Sequence, residues 1–145
     1  MVFAFVVRKL RWLARVPLFP QIFDTMLLVA TALFDWHALA VRESLEIEAC
    51  RSLGVELTVH RFGGVGFTFG RHELAHLHGN GLFDAFVGVR ARDSVVRSGM
   101  ASPHHVFPRS GWVSCWIKTE ADLPNALELM RIAQRYRTKM QAAAA

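Results

Sequence analysis

His72-Glu73-Leu74-Ala75-His76-Leu77-His78-Gly79 packs three imidazoles and a carboxylate into one short stretch, and His104-His105 follows it downstream. Together these two places hold most of the chain's 7 histidines. Histidine is the side chain whose charge and metal-binding state change near neutral pH. The first stretch reads as a β-strand, because its apolar residues alternate with polar ones and Gly79-Asn80-Gly81 supplies turn chemistry at its end. A period of two sets His72, Leu74, His76 and His78 on one face, and Glu73, Ala75 and Leu77 on the other. A His-x-His pair can hold one metal ion or place a base beside an acid. Spacing leaves both open, along with a purely structural role on a solvated strand.

These residues need a frame to hold them. A helix is expected over residues 38–53, closed by Gly54, followed by strands over 55–61 and 65–69 turned by Gly63-Gly64. Beyond the histidine strand come a short apolar run over 82–87 containing Asp84, a helix over 89–98 and an aromatic strand over 112–118. The last helix is capped by Thr119 or Asp122 and carries a stripe of Leu123, Leu127, Met130 and Ala133. Strands running together between helices, without strict βαβ alternation, indicate an α+β fold with a mainly antiparallel sheet and flanking helices. The chain divides into an N-terminal helical segment, residues 1–40, and an α+β domain, residues 41–145.

With 145 residues, 52% of them hydrophobic, the chain has the apolar mass for one compact core. Its net charge of +5 is concentrated in Arg8, Lys9, Arg11 and Arg15, which leaves the body nearly neutral. A surface that tracks phosphates needs basic residues spread along the fold, so no nucleic-acid partner is expected. Cys50 and Cys115 form no Cys-x-x-Cys, so neither a disulfide framework nor a thiolate zinc site is implied, and a cytoplasmic location fits. Over residues 1–20, Phe3, Val6, Leu10 and Leu13 oppose Arg8, Arg11 and Arg15 on a helical wheel. That pattern suits a peripheral membrane contact or a helix docked on its own domain. The apolar run over 26–34 is too short to cross a bilayer, which takes about 20 residues.

The order Phe62-Gly63-Gly64-Val65-Gly66-Phe67, Glu73-Leu74-Ala75-His76-Leu77-His78-Gly79, Pro103-His104-His105-Val106 and Ser110-Gly111-Trp112-Val113-Ser114, followed by a helix, resembles the luciferase-domain family, the bacterial relatives of the fungal luciferases. The resemblance spans roughly residues 57–136. It implies an oxygenase that adds dioxygen to a small enolic or phenolic molecule without an organic cofactor, as fungal luciferases do with a hydroxypyrone, and a membrane-associating N-terminal segment. Carried across, it implies Glu73, His76, His78 and His105 as the catalytic set. Phe67, Asp84, His104 and Trp112 would bind substrate. On this reading His76 or His78 is the base, Glu73 or Asp84 fixes its tautomer, His105 stabilises the oxyanion, and Trp112 with Phe67 walls the pocket. No metal is required by the resemblance. The alternatives are a transition-metal enzyme with His76, His78 and His105 as ligands, and a non-catalytic binding or interaction module.

Overall fold

The computed structural model describes residues 18–61 and 63–144. The basic amphipathic pattern expected over residues 1–20 therefore lies almost wholly outside the described residues. Among them, α1 (Phe19–Phe34) and α2 (Trp36–Leu53) meet at Asp35, whose carboxylate caps α2 by accepting from the Ala38 amide at 3.2 Å. Because α2 runs unbroken through residues 40 and 41, the expected division between them falls inside a helix.

Six strands form one antiparallel sheet in the order β1-β2-β3-β4-β6-β5. They are β1 (Glu56–Val59), β2 (Val65–Phe69), β3 (His72–Leu77), β4 (Leu82–Phe86), β5 (Ser102–Pro103) and β6 (Trp112–Trp116). The helix α3 (Val89–Arg97) lies between β4 and β5, and α4 (Leu123–Ala144) closes the chain. A short 3-10 turn precedes α4, capped by Thr119 and Asp122 acting on each other's backbone amides, as the sequence leads one to expect. The α+β reading thus holds.

One face of the sheet is covered by helices. Val41, Leu45 and Ala49 of α2 and Leu129, Met130 and Ala133 of α4 are fully buried against Phe67, Leu74, Ala75, Phe83, Ala85 and Val113. The other face carries a row of small and polar residues at one register. Gly66 opposes His76, His76 opposes Asp84, Asp84 opposes Ser114, and Ser114 opposes Ser102. Cross-strand partners share a face, so the pairing alone sets His76, Asp84 and Ser114 side by side.

The histidine strand departs from strict alternation. Phe67 pairs with Ala75 and Thr68 with Glu73, which leaves Leu74 as an extra residue in β3. Such a bulge reverses the parity of the strand. Leu74 joins Ala75 in the helix-covered core, and Glu73 moves to the face of His76. The faces expected for Leu74 and Glu73 are therefore exchanged. A strand with two consecutive apolar positions buries both by bulging, because a buried Leu is worth about 2 kcal/mol.

Candidate active site

Asp84 stands at the centre of a buried cluster of histidines and has no solvent exposure. Its Oδ2 atom faces three imidazoles, with His76 Nε2 at 3.3 Å, His78 Nε2 at 3.4 Å and His104 Nε2 at 3.6 Å. Its Oδ1 accepts a short hydrogen bond from the Ser114 hydroxyl and lies 3.8 Å from His105 Nδ1. The two oxygens are unequal, since Oδ2 is buried without a hydrogen bond of good geometry.

A second carboxylate organises the outer side of the cluster. Glu73 accepts from His76 Nδ1 through Oε1 and from His60 Nδ1 through Oε2, each at 2.8 Å. The two rings stack with centroids 3.8 Å apart. Burial opposes ionisation of Glu73, but these two hydrogen bonds outweigh it and hold the carboxyl at about 2. Both Nδ1 atoms are therefore donors. The stacked rings are shifted in opposite directions: burial depresses His60, whereas His76 is raised, because its contacts with Asp84 and Glu73 override its own burial.

Asp24, from α1, is the third carboxylate. It is 6% exposed, accepts from the Gly79 amide at 2.9 Å and lies 3.4 Å from His78 Nδ1. Burial alone would lower His78, yet Asp24 and Asp84 together push it up to about 9. The α1 helix reaches this point because Gly79 has no side chain. A Cβ there would meet the Asp24 carbonyl oxygen at 2.5 Å and the Leu28 nitrogen at 2.6 Å. Thr31 completes the clamp by donating to the Gly79 carbonyl at 2.9 Å.

Asp84 is held well below its ordinary value because the imidazoles of His104, His76 and His78 that face it overcome its burial. His104 is fixed by its own loop, since Nδ1 accepts from the amides of Val106 at 3.1 Å and Phe107 at 3.0 Å. Its ring proton is therefore on Nε2, aimed at Asp84. Burial pushes His105 down to about 4, which leaves it neutral at physiological pH. Trp112 borders the cluster, its ring 5.1 Å from His76 and 5.3 Å from Phe86.

The structure brings Glu73, His76, His78, Asp84, His104, His105 and Trp112 together on one face. Phe67 is the exception: fully buried, it pairs with Ala75 on the helix-covered side and packs on Phe83 at 6.1 Å, so it walls no pocket on the histidine face. Two-residue periodicity explains the correction, because Gly66 and not Phe67 lies beside His76. His72 stands at the outer end of β3, whereas His60, from beyond the end of β1, stacks on His76 inside the cluster. His60, Asp24 and Ser114 are additions to the expected set. The signal for Asp24 was present in the sequence as a lone carboxylate in an apolar helix, which is costly unless something receives it. No local signal marks His60.

A cleft of about 610 Å³ opens beside the cluster, with Leu82, Val96, Met100 and Trp116 among its walls. His105 and Ser114, the two Oδ1 neighbours of Asp84, also line it. The cluster thus borders this cleft through His105 and Ser114.

No single described helix is long and apolar enough to cross a membrane; α1 and α2 meet that test only jointly, with a bend of 119° between them. No curated protein and no solved structure matches the chain. The model of the luciferase-domain family matches residues 71–133, a stretch that begins at the histidine strand and runs into α4. It takes in Glu73, His76, His78, Asp84, His104, His105, Trp112 and Ser114, so over this stretch the chain is similar to the luciferase domain.

Proposed function

We propose that the protein is an oxygenase-type enzyme that acts on a small enolic or phenolic molecule without an organic cofactor. The observation that carries this reading is that His105 and Ser114 belong both to the Asp84 cluster and to the wall of the cleft. A substrate hydroxyl in the cleft meets His105 first. His105, neutral but a weak base at about 4, takes the proton of a hydroxyl acidified in the substrate itself, and the resulting enolate or phenolate supplies the electrons for a new C–O bond, with dioxygen as oxidant. His76 and His78, raised by the surrounding carboxylates, add positive potential behind the developing anion. The roles are thus reassigned within the expected set, with His105 as base and His76 and His78 as stabilisers. Trp116 walls the cleft and Trp112 covers His76, which limits water at the cluster.

Oxygen uptake by the untagged protein, measured with hydroxypyrones and catechol-type phenols alongside mass analysis of products, tests the reading. Uptake matched to substrate loss is expected, with His105→Ala lowering kcat about 100-fold or more. Tight binding of the same molecules with no oxygen uptake would instead make this a binding module.

We further propose peripheral contact with anionic lipid. Leu18, Ile22, Met26, Val29 and Leu33 form an exposed apolar stripe along α1, and Phe34 and Trp36 extend it at 88% and 73% exposure. Arg8, Lys9, Arg11 and Arg15 immediately precede that stripe in sequence.

A further inference from the structure

The buried Oδ2 of Asp84 presents an unusual arrangement. A fully buried carboxylate oxygen faces His76 Nε2 at 3.3 Å and His78 Nε2 at 3.4 Å, yet has no hydrogen bond of good geometry. These separations are longer than a charge-assisted hydrogen bond, which closes to about 2.8 Å. They fit another geometry. With bonds of about 2.0–2.1 Å, neighbouring ligand atoms around a tetrahedral ion stand about 3.3–3.4 Å apart.

We infer that His76 Nε2, His78 Nε2 and Asp84 Oδ2 form a binding site for one divalent first-row transition-metal ion. One ligand atom from each of the three lies within 4.8 Å of the other two. Both imidazoles carry the outer partner that metal-bound histidines usually have. Nδ1 of His76 is held by Glu73 at 2.8 Å, and Nδ1 of His78 faces Asp24 at 3.4 Å. An ion entering the site displaces the Nε2 proton of each ring, while those carboxylates keep the proton on Nδ1.

The neighbouring combinations fail on the same test. His104 points Nε2 at the same oxygen, but its Nδ1 lone pair is used by the amides of Val106 and Phe107, so Nε2 carries the proton and cannot donate to a metal. Its N–H instead faces the carboxylate at 3.6 Å as an electrostatic partner. His60, Glu73 and His76 also cluster, yet their facing atoms are already closed into hydrogen bonds at 2.8 Å. His105 faces Oδ1, the oxygen that Ser114 occupies, so the set His76, His78 and His105 has no common centre at Oδ2. Two imidazoles and one carboxylate leave positions open, which suits zinc or ferrous iron and excludes a purely oxygen-seeking ion such as calcium.

The site shares residues with the oxygenase reading but does not depend on it. Untagged full-length protein is analysed for metals as purified, stripped with chelator, and titrated with Co²⁺ while visible ligand-field absorption is followed. One ion per chain and an intense low-symmetry cobalt spectrum are expected. The spectrum should vanish in His78→Ala and in Asp84→Asn. In Glu73→Gln it should persist with affinity weakened about 10–100-fold. His78→Ala keeps the test sharp if Asp84→Asn fails to fold, as checked by circular dichroism. Folded wild-type protein that neither retains metal nor gives the spectrum overturns the site, and so does an unchanged spectrum in His78→Ala. Oxygen uptake in such metal-free protein would leave the oxygenase reading standing, whereas a cobalt site without uptake would do the reverse.

Discussion

Asp84 shows how burial turns ordinary side chains into a site. A carboxylate with no solvent exposure is tolerated only where positive charge or donors surround it, and the sheet supplies both from three directions. Glu73 acts in the same way on the outer side of His76, and its effect on stability has a definite sign. Its carboxyl sits at about 2 in the fold against an ordinary 4.5. The stabilisation is therefore present above pH about 4.5 and is lost as the pH falls toward about 2. Urea midpoints measured down the acid limb should fall less steeply for Glu73→Gln than for the wild type, and parallel curves would contradict the assignment. Cys115 offers a test of burial on the cleft side. Burial, with Asp84 nearby, pushes its thiol up to about 12, so iodoacetamide should label it far more slowly at pH 8 than it labels a model thiol. Rapid labelling mapped to Cys115 would mean that the β5–β6 side of the sheet opens more readily than its packing implies.

At the scale of elements, two close approaches decide whether the cluster exists. Gly66 of β2 leaves room for Glu73: an added Cβ would meet Thr58 Oγ1 at 2.8 Å and Glu73 Oε2 at 3.3 Å. Gly66→Ala should displace the Glu73 carboxylate while the sheet persists, with loss of turnover and a stability cost of about 1–2 kcal/mol, read from kcat and denaturant midpoints together. Gly79 is tighter, because the atoms in its way are helix backbone and cannot rotate aside. Gly79→Ala should therefore lift α1 from the turn and remove Asp24 from His78, at a cost of about 1–3 kcal/mol. Protease sensitivity of α1 is the readout, and unchanged protection would show that the helix is held by other contacts.

On the scale of the whole molecule, the fold is a sheet with two unlike faces. Helices α2 and α4 bury one face as an ordinary core, which frees the other to be polar. Outside this unit, α1 uses Asp24 and Thr31 to grip the site and leaves its apolar stripe outward. Binding to anionic vesicles should follow from that division of labour. Arg8, Arg11 and Arg15 add roughly 3 kcal/mol at a charged surface, so flotation should weaken at high salt and drop when residues 1–17 are removed. Equal flotation of both forms would assign any binding to the α1 stripe alone.

The sequence by itself determined the elements and the luciferase-domain resemblance. The capping pair Thr119 and Asp122 and the stripe through Met130 and Ala133 are local signals, and periodicity reads local signals well. Glu73, His76, His78, His104, His105 and Trp112 were legible too, because they lie in short motifs whose order is distinctive, and Asp84 stood out as the carboxylate of an apolar run. Tertiary structure decided the rest. Phe67 went to the core because Gly66 is the β2 residue beside His76, and Glu73 joined His76 because a bulge at Leu74 reset the strand's parity; burial of apolar residues against α2 and α4 favours such a bulge while alternation cannot anticipate it. His60 and Asp24 entered the site from distant segments, across a stacked ring and a glycine-sized gap. Which nitrogen of each histidine holds a proton was likewise set by partners that no strand period reveals, and that choice separates His76 and His78 from His104.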